Sequence, residues 1–372
     1  MAIYFILLLL IILLPMVIQK IKIKQTQAKK LILWTSFIAV FLLFALRNVS
    51  VGRDVVAYEN AYKMTQQVKW NDFDYIYFEV GYILLMKICI GLGMPFQLFL
   101  AMVSLMIIAP IFLFIKQFSK NPTLSILIWI CYIYFEFCLT GLRQALAMSI
   151  VLIGIKYLLS AKKYPLIKFS LLVILASLFH KGALIAFAIL AILYVKKLWH
   201  AIIALLGALV VLFVFRSSLF VLMKDLFEKD SFNTSAEIYI GANIIFLVLI
   251  AIFMIFVFTL NKEENLLYQD TLLGDGKAKT KSNFNINFLL LKMYLTSIIV
   301  ALFFGMETSA RSYMFFNQAI IVLLPNSIEK MDKKSKTLSY ILFGVFFIVF
   351  FILETLVPNN FDIVPYKFFW EG

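Results

Sequence analysis

Apolar runs long enough to enter a bilayer recur from one end of this 372-residue chain to the other, and few folds can accept them. Inside hydrocarbon the backbone must satisfy its own hydrogen bonds, which leaves only helices or closed barrels. The runs are unbroken rather than alternating, so strands are not a serious alternative. They cover Ala2 to Ile18, Leu31 to Leu46, Phe78 to Leu92, Phe96 to Ile115, Leu124 to Leu139, Leu142 to Leu159, Leu166 to Phe179, Gly182 to Val195, Ala201 to Phe215, Ile238 to Leu260, Phe288 to Phe304, Tyr313 to Leu324 and Leu338 to Val357. The expected fold is all-α: one polytopic membrane domain over residues 1–372 with about twelve crossings. An apolar content of 63% and a mean hydropathy of +0.98 exclude a soluble domain. The first run lacks a basic leading region and a cleavage pattern, and reads as a retained helix.

Lys and Arg accumulate in short cytoplasmic loops, so charge gives the orientation. Basic clusters fall in alternate connections: Lys20 to Lys30, Lys116 with Lys120, Lys162 with Lys163 and Lys168, Lys196 with Lys197, the loop Asn261 to Asn287, and Lys330 to Lys336. The loops 47–78 and 216–237 are then outside and the loop 261–287 is cytoplasmic. The net charge of +14 is largely this topology signal, and no nucleic-acid partner is expected. The alternation fails only if both Phe78 to Leu92 and Phe96 to Ile115 cross. The first of these is short, contains Lys87 and ends in Gly91, Leu92, Gly93, Met94 and Pro95, so it is expected to be re-entrant or tilted.

With this topology, Arg47, Arg53, Asp54, Glu79, Glu136, Arg143, His180, Glu307 and Arg311 all fall at the outer ends of their segments. Polar groups at membrane depth are functional-site candidates by default. Cations beside carboxylates and an imidazole suit a ligand carrying phosphate or pyrophosphate together with a group to be deprotonated. Each residue also has a structural reading. Arg143 follows Glu136 by about two helical turns and could pair with it across Gly141. Glu307 and Arg311 have the spacing of a helix salt bridge, and His180 could cap a helix end. His200 lies with Lys196 and Lys197 and is read as interfacial. Cys89, Cys131 and Cys138 sit in apolar runs without paired spacing, as buried small residues do, and no ligand spacing for a metal is present.

The first outer loop is unusually aromatic, with Tyr58, Tyr62, Trp70, Tyr75 and Tyr77 among Asp72, Asp74 and Glu79. Aromatic faces with carboxylates and amides are what sugar rings use, since the C–H face packs on the ring while hydroxyls are hydrogen-bonded. Gly52 allows a turn that would aim Arg53 and Asp54 inward.

Arg47 followed by Val51, Gly52, Asp54, Tyr58 and Tyr62, then Glu79, Gly81 and Tyr82, then Gly141-Leu142-Arg143-Gln144-Ala145-Leu146-Ala147, then Phe179 and His180, then Arg311, Tyr313 and Pro325, resemble the EpsG-like branch of the Wzy polysaccharide polymerases. The resemblance spans nearly the whole chain, and the Gly141 to Ala147 stretch is its most specific piece. It implies a GT-C-like membrane glycosyltransferase, with no cofactor, that joins undecaprenyl-pyrophosphate-linked oligosaccharide repeat units into capsule, exopolysaccharide or O-antigen. The work would be done at the outer face of the bacterial cytoplasmic membrane, with chain-length regulators and a flippase as partner proteins.

In that scheme His180, with Asp54 or Glu79 behind it, is the expected base for the acceptor hydroxyl. Arg143 and Arg311, assisted by Arg47 or Arg53, are the expected pyrophosphate cations. Gln144, Tyr58, Tyr62 and Tyr313 are the expected glycan contacts. A flippase for lipid-linked oligosaccharide would also want a basic cavity, although the cations gather at the rim rather than at the midplane. A membrane O-acyltransferase and a glycan ligase are the enzyme alternatives.

Overall fold

The structure, a computed structural model, describes residues 1–21, 23–159, 163–195, 197–215, 218, 242–260, 286–304 and 312–371. Lys22, Lys162, Lys196, Glu307, Arg311 and most of the loops 216–237 and 261–287 lie outside the described residues. Among the described residues the chain is helical, with a single antiparallel bridge between Arg47 and Phe368. In order it forms α1 (Ala2–Lys20), α2 (Gln25–Ala45), α3 (Val55–Gln67), α4 (Val80–Gly91), α5 (Phe96–Phe118), α6 (Pro122–Cys131), α7 (Tyr134–Thr140), α8 (Leu142–Leu159), α9 (Pro165–Ser177), a 3-10 helix (Lys181–Phe187), α10 (Ala188–Leu193) and α11 (Leu198–Val214). Then come α12 (Ala242–Leu260), α13 (Ile286–Phe304), α14 (Met314–Asn317), α15 (Ile320–Ile328), α16 (Lys333–Phe350) and a π-helical turn (Phe351–Leu356).

The chain is a membrane protein, and among the described residues some of its runs form helices long enough to span while others form shorter ones. Five described helices are long and apolar enough to cross: α2, α5, α8, α13, and α16 with its π turn. Counting α6 and α7 as one span bent by 55° makes six. The expected count of about twelve is not reached by this measure. Several runs fold instead into helices of 10–17 residues, α4, α9 and α11 among them. At about 1.5 Å per residue these fall short of a hydrocarbon core of about 30 Å. Local chemistry explains the breaks. Gly93 adopts φ +71 in the turn after α4, and the amide of Met94 reaches back to the carbonyl of Cys89, so the helix closes before Pro95 opens α5. Tyr132 is extended (φ −101, ψ 155), which interrupts the hydrogen-bond ladder between α6 and α7. Asn121 caps α6 by accepting from the amide of Leu124, with Pro122 at the first helical position.

The chain divides into two compact units. The first comprises Met1–Leu152, Leu178–His180 and Met331–Gly372. In it α2 packs on α1, α5 and α6, α16 packs on α6, and α3 packs on α4. The segment after the π turn is stitched to the start of the first loop. Asn48 and Gly52 donate their amides to the carbonyls of Lys367 and Asp362, and the Tyr4 hydroxyl donates to Ile363. The second unit comprises Ile153–Ser177 and Lys181–Lys330. Its centre is α13, which packs on α10, α11, α12, α14 and α15. The buried Lys292 of α13 donates to the carbonyls of Ile192, Leu193 and Val195 at the end of α10. A buried ammonium must repay its desolvation, and here it does so on orphan carbonyls.

Candidate functional site

Three distant stretches meet in the first unit. Glu79 is the residue before α4, in extended conformation, so its carboxylate stands off the helix start. Arg143 is the second residue of α8, which begins directly after Gly141 closes α7. His180 lies between α9 and the 3-10 helix. Glu79 joins the other two: Oε2 accepts from Nη1 of Arg143, and Oε1 lies 3.4 Å from Nδ1 of His180. All three side chains are partly covered, with exposures of 13% for Glu79, 17% for His180 and 23% for Arg143, so the cluster opens to its surroundings without being dissolved in them.

A close backbone approach makes this meeting possible. Gly81 donates its amide to the carbonyl of Leu178 at 2.8 Å, which draws the stretch before His180 against the start of α4. A Cβ at Gly81 would stand 2.6 Å from that carbonyl oxygen. Behind the cluster, the Arg143 guanidinium sits 4.2 Å from the centroid of the Phe78 ring, and Phe78 packs with Tyr58 and Tyr82. The Tyr58 hydroxyl accepts from the backbone amide of Arg143 at 3.5 Å.

Electrostatics separate the roles. Burial works against a charged Glu79, but the hydrogen bond from His180 and the charges of Arg143 and His180 outweigh it and hold the carboxyl at about 2. The two cationic partners thus favour the Glu79 anion. Protonated, His180 pairs with this carboxylate as a cation; in its neutral form the carboxylate on Nδ1 favours the tautomer with the proton there and the basic lone pair on Nε2. One edge of the Arg143 guanidinium holds Glu79, while Nε is buried and has no hydrogen-bond partner among the described residues.

The other expected site residues are placed differently. Arg47 is fully buried, and its guanidinium donates to the carbonyls of Phe44 and Leu139 and reaches Ser104 Oγ, tying α2, α5 and α7 together. Arg53 is exposed and paired with Asp362 at 3.1 Å. Asp54 precedes α3, and its side chain makes no capping bond. Tyr62 is buried, with its hydroxyl donating to Met94 O at 2.7 Å. Gln144 is buried beside Arg143. Tyr313 is buried in the second unit. The pairing of Arg143 with Glu136 gives way to the pairing with Glu79, and Glu136 instead bonds Thr355 of the π turn. Sequence reasoning missed Phe78 as the ring under Arg143, and its only signal was its place directly before Glu79.

Arg47→Met removes the guanidinium but leaves its carbonyl acceptors buried. The expected result is a stability loss of about 3 kcal/mol, read as a lower melting temperature in detergent, because unpaired buried groups forfeit their solvation. Wild-type stability would mean that Arg47 does not tie these helices together.

The model of the EpsG family matches residues 30–368, nearly the whole chain. The chain belongs to the EpsG family. No curated protein and no solved structure matches it. EpsG membership points to a membrane polysaccharide polymerase, a glycosyltransferase type of enzyme. Glu79, Arg143 and His180 all lie within the EpsG match.

Proposed function

We propose that this EpsG-family chain is a GT-C-like glycosyltransferase that polymerises undecaprenyl-pyrophosphate-linked oligosaccharide repeat units at the outer face of the bacterial cytoplasmic membrane. The observation that carries the proposal is the Glu79 carboxylate bridging Arg143 and His180. It supports one proton-accepting group and one phosphate-binding group held at a fixed separation.

In this reading Nε2 of His180 takes the proton of the acceptor sugar hydroxyl while the hydroxyl oxygen attacks the anomeric carbon of the donor. The bond from that carbon to the pyrophosphate breaks, and the negative charge develops on the leaving phosphate oxygens. Arg143 meets that charge with the guanidinium edge that Glu79 does not occupy. Its place in the first turn of α8 adds the positive end of an 18-residue helix. The Phe78 ring, 4.2 Å from the guanidinium carbon, adds a cation–π contact that helps hold it in place. Displacement in one step inverts the anomeric centre. Arg311 is retained as a second phosphate cation on the resemblance alone. In this reading Arg47, whose guanidinium donates to carbonyls, and Arg53, at the surface with Asp362, are left out of the leaving-group site.

The test is reconstitution of the purified chain with lipid-linked repeat units from its own host and a gel readout of glycan length, with His180→Gln in parallel. Wild type is expected to give a ladder, and the variant to lose about 10²-fold or more in rate, the usual scale of general-base catalysis. Transfer of intact units across liposomes without a ladder would replace the polymerase reading with a transporter.

A further inference from the structure

Lys87 is unexplained by the chemistry above. It lies in the apolar helix α4, is 3% exposed, and sits about 12 Å along the helix from Glu79, too far to touch the cluster. A methionine would suit the surrounding helix better, since a buried ammonium must be compensated. Among the described residues, the compensation comes from the loop between α3 and α4. The Lys87 ammonium donates to the backbone carbonyls of Lys69 at 2.8 Å, Trp70 at 2.9 Å and Asp72, and it stands 4.5 Å from the Phe73 ring centroid and 5.4 Å from that of Tyr75.

That same loop ends in Phe78 and Glu79, the ring under Arg143 and the carboxylate that holds His180. Its first part is fixed beside the second and third turns of α4, and its last residues must run back along the helix to its start. Six residues reach about 20 Å at full extension, so the return over about 12 Å leaves them limited slack. One further tie assists: the Thr65 and Tyr75 hydroxyls lie 2.9 Å apart.

We propose that Lys87 is a positioning residue for the candidate site, its ammonium clamping the loop 68–76 to α4 so that Phe78 and Glu79 are delivered in register to Arg143 and His180. The proposal rests on the catalytic reading of that cluster only for its effect on turnover; the clamp itself has its own readout.

The experiment compares full-length wild type, Lys87→Met, Glu79→Gln and the double variant in nanodiscs, by backbone hydrogen exchange and by polymerisation kinetics on lipid-linked repeat units. Lys87→Met is expected to raise exchange across residues 69–78 and to lower kcat at least tenfold with KM within about twofold. In the Glu79→Gln background it is expected to add little, because the two act on one arrangement. Unchanged exchange over 69–78 would overturn the clamp, and kinetic effects that multiply would overturn its action through Glu79. Full activity in Glu79→Gln alone would instead sink the catalytic reading, while the exchange result still decides the clamp. Should Lys87→Met fail to fold, Phe73→Leu removes one ring beneath the ammonium from the loop side and is expected to raise exchange over the same residues, a result whose absence also overturns the proposal.

Discussion

Gly81→Ala is expected to lower polymerisation about 10²-fold while the protein still inserts and folds. Local propensity predicts the opposite sign, since alanine is the better helix former by about 1 kcal/mol. Contact decides against it. The added Cβ would stand 2.6 Å from the carbonyl oxygen of Leu178 and 2.8 Å from its Cβ, both well inside van der Waals distance. Backbone faces backbone there, so relief requires the stretch leading to His180 to retreat from α4 by several tenths of an ångström or more. Glu79 is two residues before Gly81 and His180 two after Leu178, so their 3.4 Å contact is the first thing lost. Misplacement of about 1 Å between reacting groups costs on that order of rate. Gly91→Ala is the control, because a Cβ there meets nothing within 4 Å, and its turnover is expected to stay at the wild-type level. Turnover in Gly81→Ala equal to that control would remove the close approach from the mechanism.

Arg143→Lys is expected to cost still more, about 10² to 10³ in kcat, although the charge is kept. In the proposed mechanism the guanidinium does three things at once: Nη1 holds Glu79, its carbon stands 4.2 Å from the Phe78 ring centroid, and its remaining edge would meet phosphate. An ammonium is a point charge on a flexible stem and can satisfy the carboxylate or a phosphate oxygen, but not both with the ring beneath. If the proposed mechanism holds, the loss should fall on kcat more than on KM, because there the phosphate charge develops as the bond breaks. A raised KM with unchanged kcat would make Arg143 a ground-state binding residue, and unaltered kinetics would take it out of the site.

These two residues also mark the boundary between what the amino-acid order dictates and what folding adds. Unbroken apolar runs make a helical membrane protein unavoidable, since backbone groups in hydrocarbon have no other partners. The family is legible too, since its model matches residues 30–368, a span that includes the Gly141 to Ala147 stretch. Arg143 and His180 stand out as polar groups at the ends of apolar segments. The number of spanning helices is less legible. The apolar run Leu166 to Phe179, for example, lies mostly in a helix, Pro165–Ser177, that closes after thirteen residues, and hydropathy records composition rather than where a helix ends.

Tertiary structure alone decided which charges are partners and which are spent. Arg47, Arg53 and Arg143 carry the same charge, and in the sequence all fall at or near the ends of apolar segments. Folding buries the first on carbonyls, leaves the second at the surface with Asp362, and sets the third beside Glu79 and Phe78. Likewise Tyr58 meets Arg143 while Tyr62, one turn later, is turned to Met94. Periodicity reports which face of a helix is apolar, a property of neighbours in sequence. The meeting of residues 79, 143 and 180 depends on a backbone contact at Gly81 and a clamped loop, between stretches that share no local pattern, and so becomes visible only when the chain is packed.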